Sequence, residues 1–227
     1  MKIIILAAGI GSRLGNPFPK PLTTLINGKS IIQSQIENLT KYFSKEDIFV
    51  VVGFKKDLIM EKFPNLGYIY NPYFDCTNTS KSLLKAIKKF ENDSILWLNG
   101  DVVFDEKLLS SLIPYIKENK SFISVNKSKV GEEEVKYTLK DNFIHKLSKE
   151  VEVGLGEAVG INFINNFSIK KLSTRLEECD DNDYFEKGIE NAISKDNLKI
   201  EAVDISKFQC TEIDFKEDLE LVNKMLE

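Results

Sequence analysis

Short apolar runs ending in turn residues alternate with longer stretches whose apolar positions recur every three or four residues. KIIILAAG (2–9), DIFVVVGF (47–54), LGYIYNP (66–72), SILWLNGD (94–101) and SFISVNKS (121–128) are rich in Ile, Val and aromatics and read as buried strands. Between them, residues 30–43 place Ile31, Ile32, Ile36, Leu39 and Phe43 at helical spacing, and residues 80–90 and 106–119 repeat the pattern. Such alternation predicts an α/β fold, a mostly parallel sheet with helices on both faces. Ligands on such sheets sit beyond the carboxyl ends of the strands.

The pattern changes in the second half. EVKYTLKDNFIHKLSKEVEVGLGEAVGINFIN alternates polar and apolar residues between turns, which predicts antiparallel strands forming a lobe over the sheet edge, roughly residues 128–190. KKLSTRLEECDDNDYFEKGIENAISK reads as one or two helices, LKIEAVDIS as a further strand, and DFKEDLELVNKML as a closing helix with Asp214 near its N-cap. With neither an internal repeat nor a low-complexity linker, residues 1–227 read as a single domain.

Composition narrows the partners. The 227 residues are 42% hydrophobic and 29% charged, enough for a full core. A net charge of −4, with no basic run longer than two residues, disfavours a nucleic-acid surface. Cys76, Cys179 and Cys210 show no CxxC spacing, so neither a disulfide framework nor a zinc cluster is suggested. No stretch approaches the ~18 apolar residues of a membrane span, and a cytoplasmic location is expected.

LAAGIGSRLGNPFPKPL (6–22) carries the chemistry. It lacks the GxxxxGK[ST] of a P-loop, and Leu14 stands where a dinucleotide motif needs its third glycine. Two readings stay open on the residues alone. One is a glycine turn that merely connects two elements; the other is a loop whose N–H groups approach an anion, with Arg13 and Lys20 supplying charge. Pro17, Pro19 and Pro21 are expected to keep the backbone around Lys20 extended.

LAAGIGSRL followed by PKPL resembles the signature of nucleotidyltransferases that couple an NTP to a phosphorylated small molecule and release pyrophosphate. GKSII (28–32), VVVGF (50–54), NPYFDCTNTSKSL (71–83), LNGDVVF (98–104), GEAVGI (156–161) and EIDFKEDL (212–219) extend the likeness over nearly the whole chain. TNTSKSL, GEAVGI and EID before DL are most similar to the cytidylyltransferase branch typified by CTP:phosphocholine cytidylyltransferase. The resemblance implies a Rossmann-like nucleotide-diphospho-sugar transferase fold and Mg²⁺-dependent CMP transfer from CTP to a phosphocholine-type or related acceptor. It also implies a role in decorating a bacterial surface polysaccharide or lipid. The implied partners are CTP and a small phosphorylated acceptor, without nucleic acid or membrane, and with a homodimer as an option.

The same resemblance assigns roles. Arg13 would hold the β- and γ-phosphates, Lys20 would bridge the α-phosphate and the attacking group, and Lys149 would contact the incoming phosphate. Asp101 and Asp214 would bind Mg²⁺, whose preference for hard oxygen ligands suits two carboxylates. Leu6, Ala7, Ala8, Gly9, Gly11 and Gly100 would approach the nucleotide, and Asn78, Thr79 and Ser82 would present donors and acceptors to the base. Lys136, Lys149, Glu157 and Tyr184 would meet the second substrate.

A choline head group would want an aromatic cage, for which Tyr137, Phe143, Phe163, Tyr184 and Phe185 are candidates beside Glu157, Asp180, Asp181 and Asp183. His145, the one histidine, is read as a surface or packing residue. Two alternatives remain at this stage: UTP- or dTTP-dependent transfer to a sugar 1-phosphate, and a catalytically silent nucleotide-binding module.

Overall fold

In the computed structural model, which describes residues 1–128 and 134–227, the first strand, β1 (Lys2–Ala7), shows why the apolar runs are continuous. Ile3 and Ile5 face one core while Ile4 and Leu6 face the other, so a strand buried on both sides needs no polar alternation. Strands β2 (Ile48–Val52) and β4 (Ile95–Asn99) flank β1 in parallel, and β3 (Gly67–Tyr70) extends the row beyond β2.

Helices α1 (Ile31–Thr40), α2 (Lys56–Lys62) and α4 (Glu106–Lys117) pack on the Ile3–Ile5 face. Helices α3 (Thr79–Lys89), α5 (Ile169–Glu178) and α6 (Phe185–Asp196) pack on the opposite face. Ser30 caps α1 by accepting from the Gln33 N–H.

The antiparallel part differs from the expected arrangement. Strand β9 (Glu157–Ile164) does not stand apart over the edge but runs inside the main sheet, antiparallel to both β4 and β6 (Phe122–Asn126). Its run INFI, Asn162 included, is buried on both faces because both are covered. Strand β10 (Glu201–Asp204) follows β6 in parallel. The hairpin of β7 (Lys136–Lys140) and β8 (Phe143–Ser148) completes a nine-stranded sheet in the order β3-β2-β1-β4-β9-β6-β10-β8-β7. Asp141 and Asn142 both take left-handed backbone, as a two-residue hairpin turn requires. The part of the expected lobe at 129–133 lies outside the described residues.

Two elements with no clear signature position the site. Strands β5 (Val102–Phe104) and β11 (Cys210–Glu212) form a small antiparallel ladder in which Val102 opposes Glu212. At its end the Ile213 N–H donates to the Asp101 carbonyl at 3.1 Å, so residues 101 and 214 arrive at one place from opposite directions. The closing helix α7 (Lys216–Leu226) starts later than expected. Phe215 is its N-cap residue, and Asp218 rather than Asp214 accepts the free N–H groups of Asp214 and Phe215. The Asp214 carboxylate is thereby left for other work.

Gly160 lies where the β6–β9 register shifts, at φ +67°. A Cβ there would collide with the Glu212 carboxylate and come within 2.8 Å of the Asn99 amide. We expect Gly160→Ala to cost about 1–3 kcal/mol, the usual scale of forced left-handed backbone plus overpacking, read as a lower midpoint in urea unfolding. An alanine variant as stable as the parent would contradict this reading.

Candidate active site

The loop after β1 turns back on itself. Gly11 takes φ +64°, and a Cβ there would lie 2.7 Å from the Lys20 Cβ, so glycine is what allows Lys20 to pack across the loop. The proline effect is more local than expected. Pro19 is extended, but Lys20–Leu22 is a single 3₁₀ turn, closed by the Thr23 N–H donating to the Lys20 carbonyl at 2.9 Å. This turn directs a buried lysine inward.

Lys20 Nζ lies 2.6 Å from Asp101 Oδ2 and 2.6 Å from Asp214 Oδ1. Burial alone would lower the pKa of this ammonium. The charges and hydrogen bonds of the two carboxylates outweigh it and hold the group above its ordinary value. Arg13 stands at the rim, its guanidinium 3.7 Å from Asp214 Oδ2 and 5.7 Å from the Phe215 ring centroid. Gly100 closes the floor: its N–H donates to the Leu6 carbonyl at 2.9 Å, and a Cβ would approach that oxygen to 2.7 Å.

These groups border a cleft of about 630 Å³ at the carboxyl ends of β1 and β4. Leu6, Ala7, Gly9, Gly11, Arg13, Lys20, Asn78, Thr79, Gly100, Asp101, Lys149, Tyr184 and Asp214 all line it, gathered from six separate parts of the chain.

Ala8, Ser82, Lys136 and Glu157 do not line the cleft. The Ala8 carbonyl accepts from the Phe54 N–H, and the buried Ser82 hydroxyl accepts from Asn71 Nδ2 at 3.1 Å. Lys136 and Glu157 are register partners where β7 meets β9. Asn78 is the cap of α3, its side chain accepting from the Thr79 N–H while Nδ2 reaches the Asn182 carbonyl at 3.2 Å. The Thr79 hydroxyl accepts from the Phe185 N–H at 3.1 Å, which ties the α3 start to the loop before α6.

The aromatic set divides. Tyr137 is fully buried, Phe163 stacks on Phe122, and Phe143 lies under Lys199, so none of these three borders the cleft. Tyr184 and Phe185 do, the latter edge-on to Trp97 with centroids 5.6 Å apart. His145 is exposed on β8.

Four further polar residues line the cleft that motif reading did not single out: Asn99, Glu134, Glu186 and Glu212. Asn99 and Glu212 sit two positions before the aspartates, inside the same LNGD and EID stretches, and Asn99 Nδ2 donates to Glu212 Oε1 at 3.1 Å. Burial, and next the charge of Asp101, push the Glu212 carboxyl well above the usual range. Glu186 lies in the first turn of α6, where its only sequence signal was an acidic residue after Tyr184.

The donor set suits a hard divalent cation. Asp101 Oδ1 is enclosed and has no hydrogen-bond partner, although the other oxygen of the same carboxylate is bonded to Lys20. A buried carboxylate oxygen without a partner is costly, and a cation is a chemically apt one. Among the described residues, no helix is long and apolar enough to cross a membrane.

Comparison with known proteins agrees with the geometry. Over 213 residues the chain is 33% identical to the bifunctional protein GlmU of Methanococcus maripaludis, covering 91% of this chain and 46% of that protein. It spans under half the length of the curated relatives it matches first. The inositol-1-phosphate CTP transferase of T. maritima superposes with a TM-score of 0.80 at 19% identity, covering 100% of this chain and 96% of the other. CTP:phosphocholine cytidylyltransferase of Streptococcus pneumoniae gives 0.75 at 20% identity, covering 100% and 99%. These two likenesses show the fold. Residues 3–150 match the MobA-like NTP transferase domain, which contains the glycine loop, Lys20 and Asp101, and the chain belongs to that family.

Proposed function

We propose that the protein transfers a CMP group from CTP to a small phosphorylated or phosphonylated acceptor and releases pyrophosphate. The observation that carries this reading is the buried Lys20 ammonium held between Asp101 and Asp214 at the carboxyl end of β1, facing a cleft large enough for two substrates. A phosphate oxygen of the acceptor attacks the α-phosphorus, a new P–O bond forms, and the bond to the bridging oxygen breaks. Pyrophosphate leaves with that electron pair.

The nucleophile is already an anion, so no general base is needed. The protein's task is to align two polyanions and offset the charge that develops. Arg13 at the rim suits the β- and γ-phosphates, and Lys20 suits the α-phosphate. Lys149, which lines the same cleft, suits the acceptor phosphate. Asp101 and Asp214 would hold Mg²⁺, which when bound supplies positive charge to the triphosphate. The two CTP-using fold neighbours support cytidine as the base.

A nucleotide panel tests the reading: CTP, UTP, dTTP, ATP and GTP are each mixed with an acceptor set, and pyrophosphate is measured. We expect release with CTP at least tenfold above the others. Release with UTP or dTTP and a sugar 1-phosphate, but none with CTP, would replace this reading with the sugar-nucleotide one.

A further inference from the structure

The charged residues that line the cleft form two groups. Among the described lining residues, Lys20 and Arg13 face Asp101 and Asp214 at the nucleotide end, which balances. Glu186 and Lys149 form a second pair of opposite charges among the described lining residues. Lys149 is the group suited to the acceptor's phosphate, and once it is so engaged the Glu186 carboxylate faces the rest of the acceptor without a counter-charge.

That carboxylate also has an unmet need. Glu186 Oε2 is enclosed and has no hydrogen-bond partner, although its residue lines an open cleft. Burial pushes this carboxyl up to about 7, with a hydrogen bond from its own backbone and then the charge of Lys149 pulling the other way. A bound cation beside it would stabilise the charged form.

Three head groups can be compared on this wall. A neutral hydroxyl donates a hydrogen bond but leaves the negative charge unbalanced. A quaternary ammonium balances charge but has no N–H, and it needs a cage of aromatic faces that the described residues do not assemble at this wall. Of the aromatics at this end, Phe185 is packed edge-on to Trp97, and the Tyr184 ring lies 5.3 Å from the Lys149 ammonium. A primary ammonium supplies both the charge and the donor.

We infer that the acceptor carries a primary ammonium group whose N–H donates to Glu186, and that this residue selects such acceptors over quaternary and neutral ones. The inference rests on the cytidylyl-transfer reading. It names Glu186 as a specificity residue.

The test compares phosphoethanolamine, phosphocholine and glycerol 3-phosphate with CTP, in the parent and in Glu186→Gln. We expect kcat/KM for phosphoethanolamine to exceed both others at least tenfold in the parent. In the variant its ratio to glycerol 3-phosphate should fall at least tenfold, mainly through KM. A cooperative thermal melt checks that the variant is folded; if it is not, the parent's three-acceptor ranking decides alone. Equal use of the three acceptors, preference for phosphocholine, or an unchanged ratio in a folded variant would overturn the inference. If no acceptor yields pyrophosphate with any nucleotide, the transfer reading fails by itself. Calorimetric titration of the parent with phosphoethanolamine and phosphocholine then decides the ammonium question, tighter binding of the first supporting it and equal or weaker binding overturning it.

Discussion

Replacing Lys20 with methionine is expected to lower kcat/KM for CTP-dependent pyrophosphate release at least 100-fold, with the purified protein still folded. A loss of that size corresponds to about 3 kcal/mol of transition-state stabilisation, the scale of removing one preorganised charge from a water-poor site. Lys20 is 8% exposed and bonded to two carboxylates, so its ammonium is positioned before substrate arrives and needs little reorganisation during reaction.

Methionine keeps the apolar stem that packs against Gly11 and removes the ammonium with its charge and its two hydrogen bonds, which separates the head group from packing. Arginine should not restore activity, because its planar fork differs in size and geometry from the compact ammonium seated between Asp101 and Asp214. The pH dependence has a defined sign. The folded-state pKa of Lys20 is raised above 10.5, so its charge is kept throughout the neutral range and is lost only as pH rises through that higher value. No alkaline fall in rate below about pH 10 should come from Lys20. A loss under tenfold in the methionine variant would show that the ammonium is a structural clasp for the two aspartates rather than a group acting on the α-phosphate.

Much of this site was legible because its parts lie in local motifs at strand ends. The apolar runs at 2–9 and 94–101 give two parallel neighbours, and a parallel sheet puts their carboxyl ends together. That alone brings the glycine loop beside Asp101. What periodicity could not supply was long-range pairing. The three-residue strands β5 and β11 are too short for any pattern, yet their ladder is what brings Asp214 to Asp101. Strand β9 misled for a related reason: its alternation resembles a surface strand, but both its neighbours are supplied from elsewhere in the chain. Other side chains of the cleft were harder still. Glu186 looks like an ordinary acidic first-turn residue, and only the packing of α6 against α3 and α5 turns it into the cleft.

The second large effect is expected at Asp101. Asp101→Asn should lower kcat/KM by a factor on the order of 10² to 10³ and raise the Mg²⁺ concentration for half-maximal rate at least tenfold. The substitution preserves volume, and an amide oxygen can still accept from Lys20, so the fold and the β5–β11 ladder should persist. What is removed is the negative charge, on which a hard cation depends most. The enclosed Oδ1 sharpens the expectation, because that atom has no internal partner whose loss might otherwise explain the effect. Asp214 is more exposed and shares its charge between Lys20 and Arg13, so Asp214→Asn should cost less than Asp101→Asn. The double variant should lose less than the product of the two single effects, since both aspartates serve one cation and one lysine. Titration of free Mn²⁺ by electron spin resonance, with and without CTP, checks the assignment independently of turnover. Undiminished Mn²⁺ binding by Asp101→Asn in the presence of CTP would place the metal elsewhere and leave Asp101 as the anchor of Lys20 alone.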